Sequence, residues 1–123
     1  MSSEERSLQD LMEVIREFVK ERGWEKYHQP ESLAVSASIE IGELLELFQW
    51  LEDSEIEDYL KNDDYRSKLS AEIADVLIYM IRLADVTGID PTEAVLQKMK
   101  ENTKKYPSEK WHERIPSKVK ESQ

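Results

Sequence analysis

Apolar residues recur at helical spacing through most of this chain. Leu8, Leu11, Met12, Ile15, Phe18 and Val19 follow the i, i+3, i+4 rule of a helix with one apolar stripe, and Gly23 just beyond them is a stop signal. Trp24 to Pro30 reads as a connecting loop, because Pro30 biases Gln29 away from helical backbone. A second helix is expected from about Ser32 to about Leu51, with Ala34, Ala37, Ile41, Leu44, Leu45 and Phe48 on its apolar side. The acidic, poorly patterned stretch from Glu52 to Asp64 reads as a connection with room for a short helix at Glu55–Leu60. A third helix, from about Tyr65 to Thr87, is apolar nearly all round between Ile73 and Ala84, the pattern of a central, buried helix, and it ends at Gly88. The fourth opens at Asp90-Pro91-Thr92-Glu93, where an N-cap acid, an N1 proline and an N3 acid coincide. It runs to about Lys105 and stops before Pro107.

Composition supports that reading. The chain has 123 residues, 36% of them charged, with three Gly and four Pro, so helix formers are abundant and turn punctuation is rare. The expected fold is all-α: an antiparallel four-helix bundle-like subunit with a short connecting helix, since short connections favour antiparallel neighbours. A chain of this length buries a modest core, which makes a site shared between subunits natural. No apolar run approaches the roughly 18 residues of a membrane span, and the N-terminus shows no secretory pattern. With no Cys, disulfides, thiolate metal sites and thiol nucleophiles are excluded, and the plain reading is cytoplasmic. The net charge of −10 argues against a nucleic-acid backbone as partner. Charge is uneven: residues 98–123 carry eight Lys/Arg against four Glu, a net of +4, which leaves −14 on residues 1–97. A basic end beside an acidic body suits a substrate whose phosphates meet both cationic side chains and a metal, although a solvated, frayed terminus explains the same numbers.

Acids three residues apart are common in a chain with 27 of them, and most such pairs are solvated helix faces. Glu40/Glu43 and Glu72/Asp75 differ in their setting, because Ile39, Ile41, Leu44 and Leu45 surround the first pair and Ile73, Val76, Leu77 and Ile78 the second. Acids among apolar residues are costly unless paired or metal-bound, and i, i+3 spacing puts each pair on one helix face. If the two helices run antiparallel, four carboxylates meet. Oxygen ligands without Cys or His point to Mg²⁺, with Mn²⁺ as a substitute, and Mg²⁺ commonly shares its coordination with substrate phosphates. A partly solvated seam between helices is the plainer alternative. On a continuous helix Trp50 projects within about 20° of Glu43, and Tyr79 returns to nearly the face of Glu72. Aromatic rings beside a metal site can stack on a nucleobase, although each alone is more simply a core aromatic. Trp24, Tyr27 and His28 form a further candidate group.

These residues carry a resemblance. Glu40-x-x-Glu43, 28 intervening residues, then Glu72-x-x-Asp75 resembles the signature of the MazG-type, all-α nucleoside triphosphate pyrophosphohydrolases. Trp24-Glu25-Lys26-Tyr27-His28-Gln29-Pro30, Gly42-Glu43-Leu44-x-Glu46-Leu47-Phe48-Gln49-Trp50, Asp75-Val76-Leu77-Ile78-Tyr79, Lys98-Met99 and Asn102-x-x-Lys105-Tyr106-Pro107 are similar to its dCTP pyrophosphatase branch. The likeness covers roughly residues 8–107, so residues 1–107 are expected to be the nucleotide pyrophosphohydrolase domain and 108–123 a basic, partly disordered tail that matches no pattern. The resemblance implies hydrolysis of a dNTP to dNMP and diphosphate, with dCTP or modified pyrimidine nucleotides preferred, as a nucleotide-pool house-cleaning activity. It implies that Glu40, Glu43, Glu72 and Asp75 hold Mg²⁺ and that one of them orients the attacking water. Trp24, His28, Trp50 and Tyr79 would form the base and sugar pocket, and Lys98, Asn102, Lys105 and Tyr106 would face the phosphates. A homodimer or homotetramer with sites between subunits is implied as well. The isolated glycines at 23, 42 and 88 exclude a Gly-rich phosphate loop, so metal and side chains must handle the phosphate charge. A di-iron carboxylate bundle would need Glu-x-x-His motifs, which His28 and His112 do not form. A dUTP or broad-specificity hydrolase, and a non-catalytic helical interaction protein, are the remaining alternatives.

Overall fold

The structure, a computed structural model, describes residues 6–116. The part of the expected basic tail from residue 117 onward lies outside the described residues. Six α-helices and one 3₁₀ turn are present among the described residues: α1 (Leu8–Glu21), the turn Glu25–Tyr27, α2 (Pro30–Glu46), α3 (Asp53–Tyr59), α4 (Asp63–Thr87), α5 (Pro91–Lys105) and α6 (Ser108–Trp111). The all-α expectation holds, and α1, α4 and α5 lie within about two residues of where the sequence put them. None is long and apolar enough to cross a membrane.

Side chains at the boundaries explain the ends. At the start of α1 the Asp10 N–H donates to Ser7 Oγ at 3.2 Å and the Ser7 N–H donates back to Asp10 Oδ2 at 2.8 Å, a reciprocal cap. Pro30 opens α2 at its first position, two residues earlier than the spacing suggested, where its missing N–H loses nothing. Asn62 caps α4 by accepting the Tyr65 N–H at 3.0 Å. Helices α1 and α4 each end on a glycine in the left-handed region, Gly23 at φ 64° and Gly88 at φ 73°. At Gly23 the next N–H, that of Trp24, reaches back to the Val19 carbonyl at 3.1 Å while Gly23 itself bonds to Lys20 at 3.1 Å, which turns the chain sharply out of α1.

The end of α2 corrects an expectation. The helix stops at Glu46 and not near Leu51. Beyond it the Leu47 and Phe48 N–H groups bond to Leu44 and Leu45, the tighter i→i+3 pattern. The Tyr65 hydroxyl donates to the Leu47 carbonyl at 2.8 Å, occupying the acceptor that a continuing helix would use, while Leu51 N–H turns to Phe48. Trp50 then takes φ 71°, a left-handed conformation that ends any helix.

Two compact units divide the chain, Met1–Asp90 and Pro91–Gln123. In the first, α4 is the central helix and packs on both α2 and α1. Both pairings are antiparallel. Leu47 meets Tyr65 at one end of the α2–α4 seam and His28, just before α2, meets Arg82 at the other, while Arg16 of α1 meets Asp85 near the end of α4. The core of this unit is small: Met12 and Val19 from α1, Leu33 and Ala37 from α2, and Ile81 from α4. The expectation of a buried third helix therefore needs correcting, since Ile73, Leu77, Ile78 and Met80 of α4 are exposed in the single chain. So are Val35, Ile39, Ile41 and Leu45 of α2. In the second unit α6 was not foreseen from sequence. Its Trp111 packs edge-to-face on Tyr106 at 5.1 Å, and its N–H bonds to the Pro107 carbonyl at 3.0 Å.

Candidate functional site

The antiparallel seam of α2 and α4 brings the two acid pairs together. One carboxylate oxygen from each of Glu40, Glu43 and Glu72 lies within 4.8 Å of the others, a spacing that could hold a metal ion. Asp75, one turn along α4, stands outside that trio and lines a neighbouring cavity with Glu40. Glu40 Oε2 and Glu72 Oε2 are shut off from solvent and have no hydrogen-bond donor. Native buried oxygens are seldom left so, and an unpartnered carboxylate oxygen fits a cation better than it fits a seam of packed helices. The electrostatics agree. The Glu40 carboxyl is pushed up from its ordinary value by burial, then by Glu43 beside it, then by Asp75 and Glu72. That of Glu72 is pushed up by burial, then by Glu43 and Asp75. An all-oxygen donor set of this kind suits a hard divalent cation.

Beside the acids is a cavity of about 280 Å³. Glu40, Asp75 and Tyr79 line it together with Trp24, His28 and Arg82, and Ile15, Phe18, Val19 and Ile78 supply apolar wall. Asp75, Tyr79 and Arg82 follow i, i+4, i+7 spacing, so a single face of α4 serves the cavity. The Gly23 turn delivers Trp24, whose ring meets Phe18 edge-to-face at 5.7 Å, and the Arg22 guanidinium covers the Phe18 ring at 3.7 Å. His28 is held by Arg82, whose Nε–H donates to His28 Nδ1 at 3.0 Å. Burial first, and the Arg82 charge second, push the imidazole pKa below its ordinary value.

Arg82 is the most deeply buried charged residue among the described residues, 7% exposed as a whole. Its Nη1 donates to Asp85 Oδ2 at 3.1 Å. Asp85 also accepts from Arg16, through Nε at 3.0 Å and Nη2 at 2.8 Å. This fork holds the Asp85 carboxyl below the usual carboxylate range.

The structure thus gathers Glu40, Glu43 and Glu72 in one cluster, and Asp75, Tyr79, Trp24 and His28 around the adjoining cavity. Trp50 is not among them. Its placement on the Glu43 face assumed a helix through residue 50, but α2 ends at Glu46 and the Trp50 side chain is 90% exposed. Lys98, Asn102 and Lys105 lie on α5 in the second unit, with Tyr106 just after it. There Lys98 Nζ lies 3.5 Å from Glu101, and the Lys105 ammonium sits 5.3 Å from the centre of the Tyr106 ring. Sequence reading passed over Arg82, Asp85 and Arg16. A lone cation inside the apolar run 73–84, seven residues after Asp75, was the available signal for Arg82; the pairing of Asp85 with a residue of α1 had no local signal.

Comparison with known proteins shows the family and supports the fold. The profile of the MazG-like family matches residues 35–118. The dCTP pyrophosphatase 1 of Bos taurus is 41% identical over 105 residues, covering 85% of this chain and 62% of that protein. The human dCTP pyrophosphatase 1 is 42% identical over 106 residues, covering 86% and 62%. This chain therefore spans about 62% of the length of those relatives. A crystal structure of a pyrophosphatase from Archaeoglobus fulgidus superposes with a TM-score of 0.75 at 46% identity, covering 87% of this chain and 98% of that one.

Proposed function

The chain belongs to the MazG-like family, and from that premise we propose that it is a Mg²⁺-dependent nucleoside triphosphate pyrophosphohydrolase that converts a dNTP and water to dNMP and diphosphate. The observation that carries the reading is the convergence of Glu40, Glu43 and Glu72, two of them with a buried, unpartnered oxygen, beside an aromatic-lined cavity. The dCTP pyrophosphatases among its relatives support dCTP or a modified pyrimidine deoxynucleotide as substrate.

In this reading Glu40, Glu43 and Glu72, joined by Asp75, hold Mg²⁺, with Mn²⁺ able to replace it. When bound, the ion offsets the triphosphate charge and makes water a better nucleophile at neutral pH. One carboxylate of the four orients that water. Trp24 and Tyr79 supply ring faces for the base, and the apolar wall from α1 keeps bulk water away from it. His28 contributes the ring N–H that fixes the nucleoside. Lys98, Asn102, Lys105 and Tyr106 face the phosphates, and diphosphate is the leaving group. Trp50, exposed on the single chain, serves the cavity of a second copy.

The same proposal includes a homodimer or homotetramer. Val35, Ile39, Ile41 and Leu45 on α2, and Ile73, Leu77 and Met80 on α4, are exposed while the described residues include five buried apolar side chains, and so large an exposed apolar set supports a subunit interface. Residues 1–107 then form the pyrophosphohydrolase domain and 108–123 a basic tail, in the cytoplasm. The test is a panel of dNTPs with purified protein and Mg²⁺, following diphosphate release. The expected result is dNMP and diphosphate, fastest with a pyrimidine nucleotide and lost in Glu43→Gln. No release from any nucleotide, or release unaffected by Glu43→Gln, refutes the proposal.

A further inference from the structure

We infer that Arg82 is a positioning residue that fixes His28 as a hydrogen-bond donor toward the nucleotide, so that the cavity takes a ligand carrying an acceptor oxygen at that point. The identity of the ligand rests on the functional reading above; the state of His28 does not.

The argument starts from what a guanidinium can do. It carries only donors and stays protonated in proteins, so an Arg82 Nε–H lying 3.0 Å from His28 Nδ1 requires a lone pair on Nδ1. A neutral imidazole whose Nδ1 accepts must carry its proton on Nε2. A doubly protonated ring would set N–H against N–H and charge against charge. The direction of the His28 pKa, pushed down by burial and by Arg82, is consistent with the neutral ring.

Arg82 can impose this because its own orientation is over-determined. Nη1 is anchored on Asp85 at 3.1 Å, and Asp85 is itself gripped by the two-pronged Arg16 contact at 2.8 and 3.0 Å. The chain Arg16–Asp85–Arg82–His28 therefore ties α1 and α4 to the loop that bears His28. Of the other ionisable groups lining the cavity, Glu40 and Asp75 are carboxylates that accept once ionised, and Tyr79 carries a hydroxyl that can donate or accept. His28 Nε2–H adds a neutral donor of fixed tautomer to those of Tyr79 and Trp24, and it selects an acceptor oxygen, either a base carbonyl or a sugar hydroxyl.

The experiment uses ¹⁵N NMR of the histidines in the full chain without nucleotide, followed by steady-state kinetics. The wild type is expected to show an unprotonated, acceptor-type Nδ1 and a protonated Nε2 for His28. Arg82→Lys keeps a cation for Asp85 but loses the planar Nε–H. It should mix the two tautomers and raise KM by roughly threefold to tenfold, the loss of about one hydrogen bond, with kcat changed less than about twofold. A role in stability alone would lower the melting temperature of Arg82→Lys without moving the His28 nitrogen shifts. A protonated Nδ1 in the wild type, or an Arg82→Lys variant with unchanged shifts and unchanged KM, overturns the inference. Because the shifts are read without nucleotide, that failure is distinct from a wild type that hydrolyses nothing, which would overturn the functional reading instead. The KM penalty of His28→Ala, measured with dCTP and with its 3′-deoxy analogue, separates the oxygens: it disappears with the analogue if the acceptor is the sugar hydroxyl and persists if it is a base carbonyl.

Discussion

Replacing Asp85 by Ala removes the carboxylate that Arg16 and Arg82 share, and the two arms of that fork are unequal. The Arg16 side chain is 50% exposed, so on losing its partner it returns to water, and such a pair contributes about 0–1 kcal/mol. Arg82 has no such escape, with its side chain 8% exposed and that of Asp85 14%. Stripping one member from a buried pair costs about 3–5 kcal/mol, because a charge is left inside without its counter-ion. His28 Nδ1 remains as one acceptor for Arg82, which places the expected loss at the low end, about 3 kcal/mol. Arg16→Met should lose about 1 kcal/mol or less. The Asp85 pKa responds most to the Arg16 hydrogen bond, with burial opposing it. The stability cost is ordered differently because it follows whichever group is left unpaired. Urea denaturation at fixed protein concentration measures both variants. An Asp85→Ala loss below about 1 kcal/mol, or an Arg16→Met loss as large as that of Asp85→Ala, refutes the reasoning. The pH dependence adds a second reading. A carboxyl whose folded pKa lies below its unfolded value of about 3.9 stabilises fully above that value and loses its contribution as pH falls through the folded one. The gap between wild type and Asp85→Asn should therefore be constant from pH 5 to 7 and close below about pH 4.

The acid cluster behaves in the opposite sense. Glu40 and Glu72 have raised pKa values, so metal-free protein is expected to lose stability as pH rises through them, and Glu72→Gln should melt higher than wild type in chelator while gaining nothing from added Mg²⁺; thermal melts with and without the ion decide it. Gly23→Ala forces a Cβ into a left-handed turn that has ample space but the wrong backbone, at a cost of about 1–2 kcal/mol in urea denaturation. Leu33, 2% exposed at the heart of the first unit, should cost about 2–5 kcal/mol on truncation to Ala by the same measurement.

Much of this was legible in the order of residues. Helical spacing of apolar residues located α1 and α2, a run apolar nearly all round located α4, the Asp90-Pro91-Thr92-Glu93 start and Pro107 bounded α5, and Gly23 and Gly88 marked two ends by the backbone they permit. The acids stood out because their neighbours were apolar. What failed was geometry set by distant partners. The end of α2 depends on Tyr65 taking the Leu47 carbonyl from 18 residues away, which no local pattern records, and the error carried Trp50 with it. Apolar density in α4 was read as burial within the chain, yet the pattern does not say whose surface will cover Ile73 or Leu77. Arg82 was overlooked because its partners come from the loop before α2, from its own helix and, through Asp85, from α1.

The seam between α2 and α4 has a kinetic side. These helices are separated only by α3 and short turns, so their pairing is the closure of a helical hairpin, a local event of modest loop entropy that favours early formation. The same closure drives Glu72 of α4 against Glu40 and Glu43 of α2. Ionised carboxylates brought this close repel one another, so the acids of the cluster oppose the closure that the apolar seam favours. Protonation in mildly acidic solution relieves that repulsion, and on the proposed function a divalent ion would do the same, acting on the folding rate as well as on the folded state.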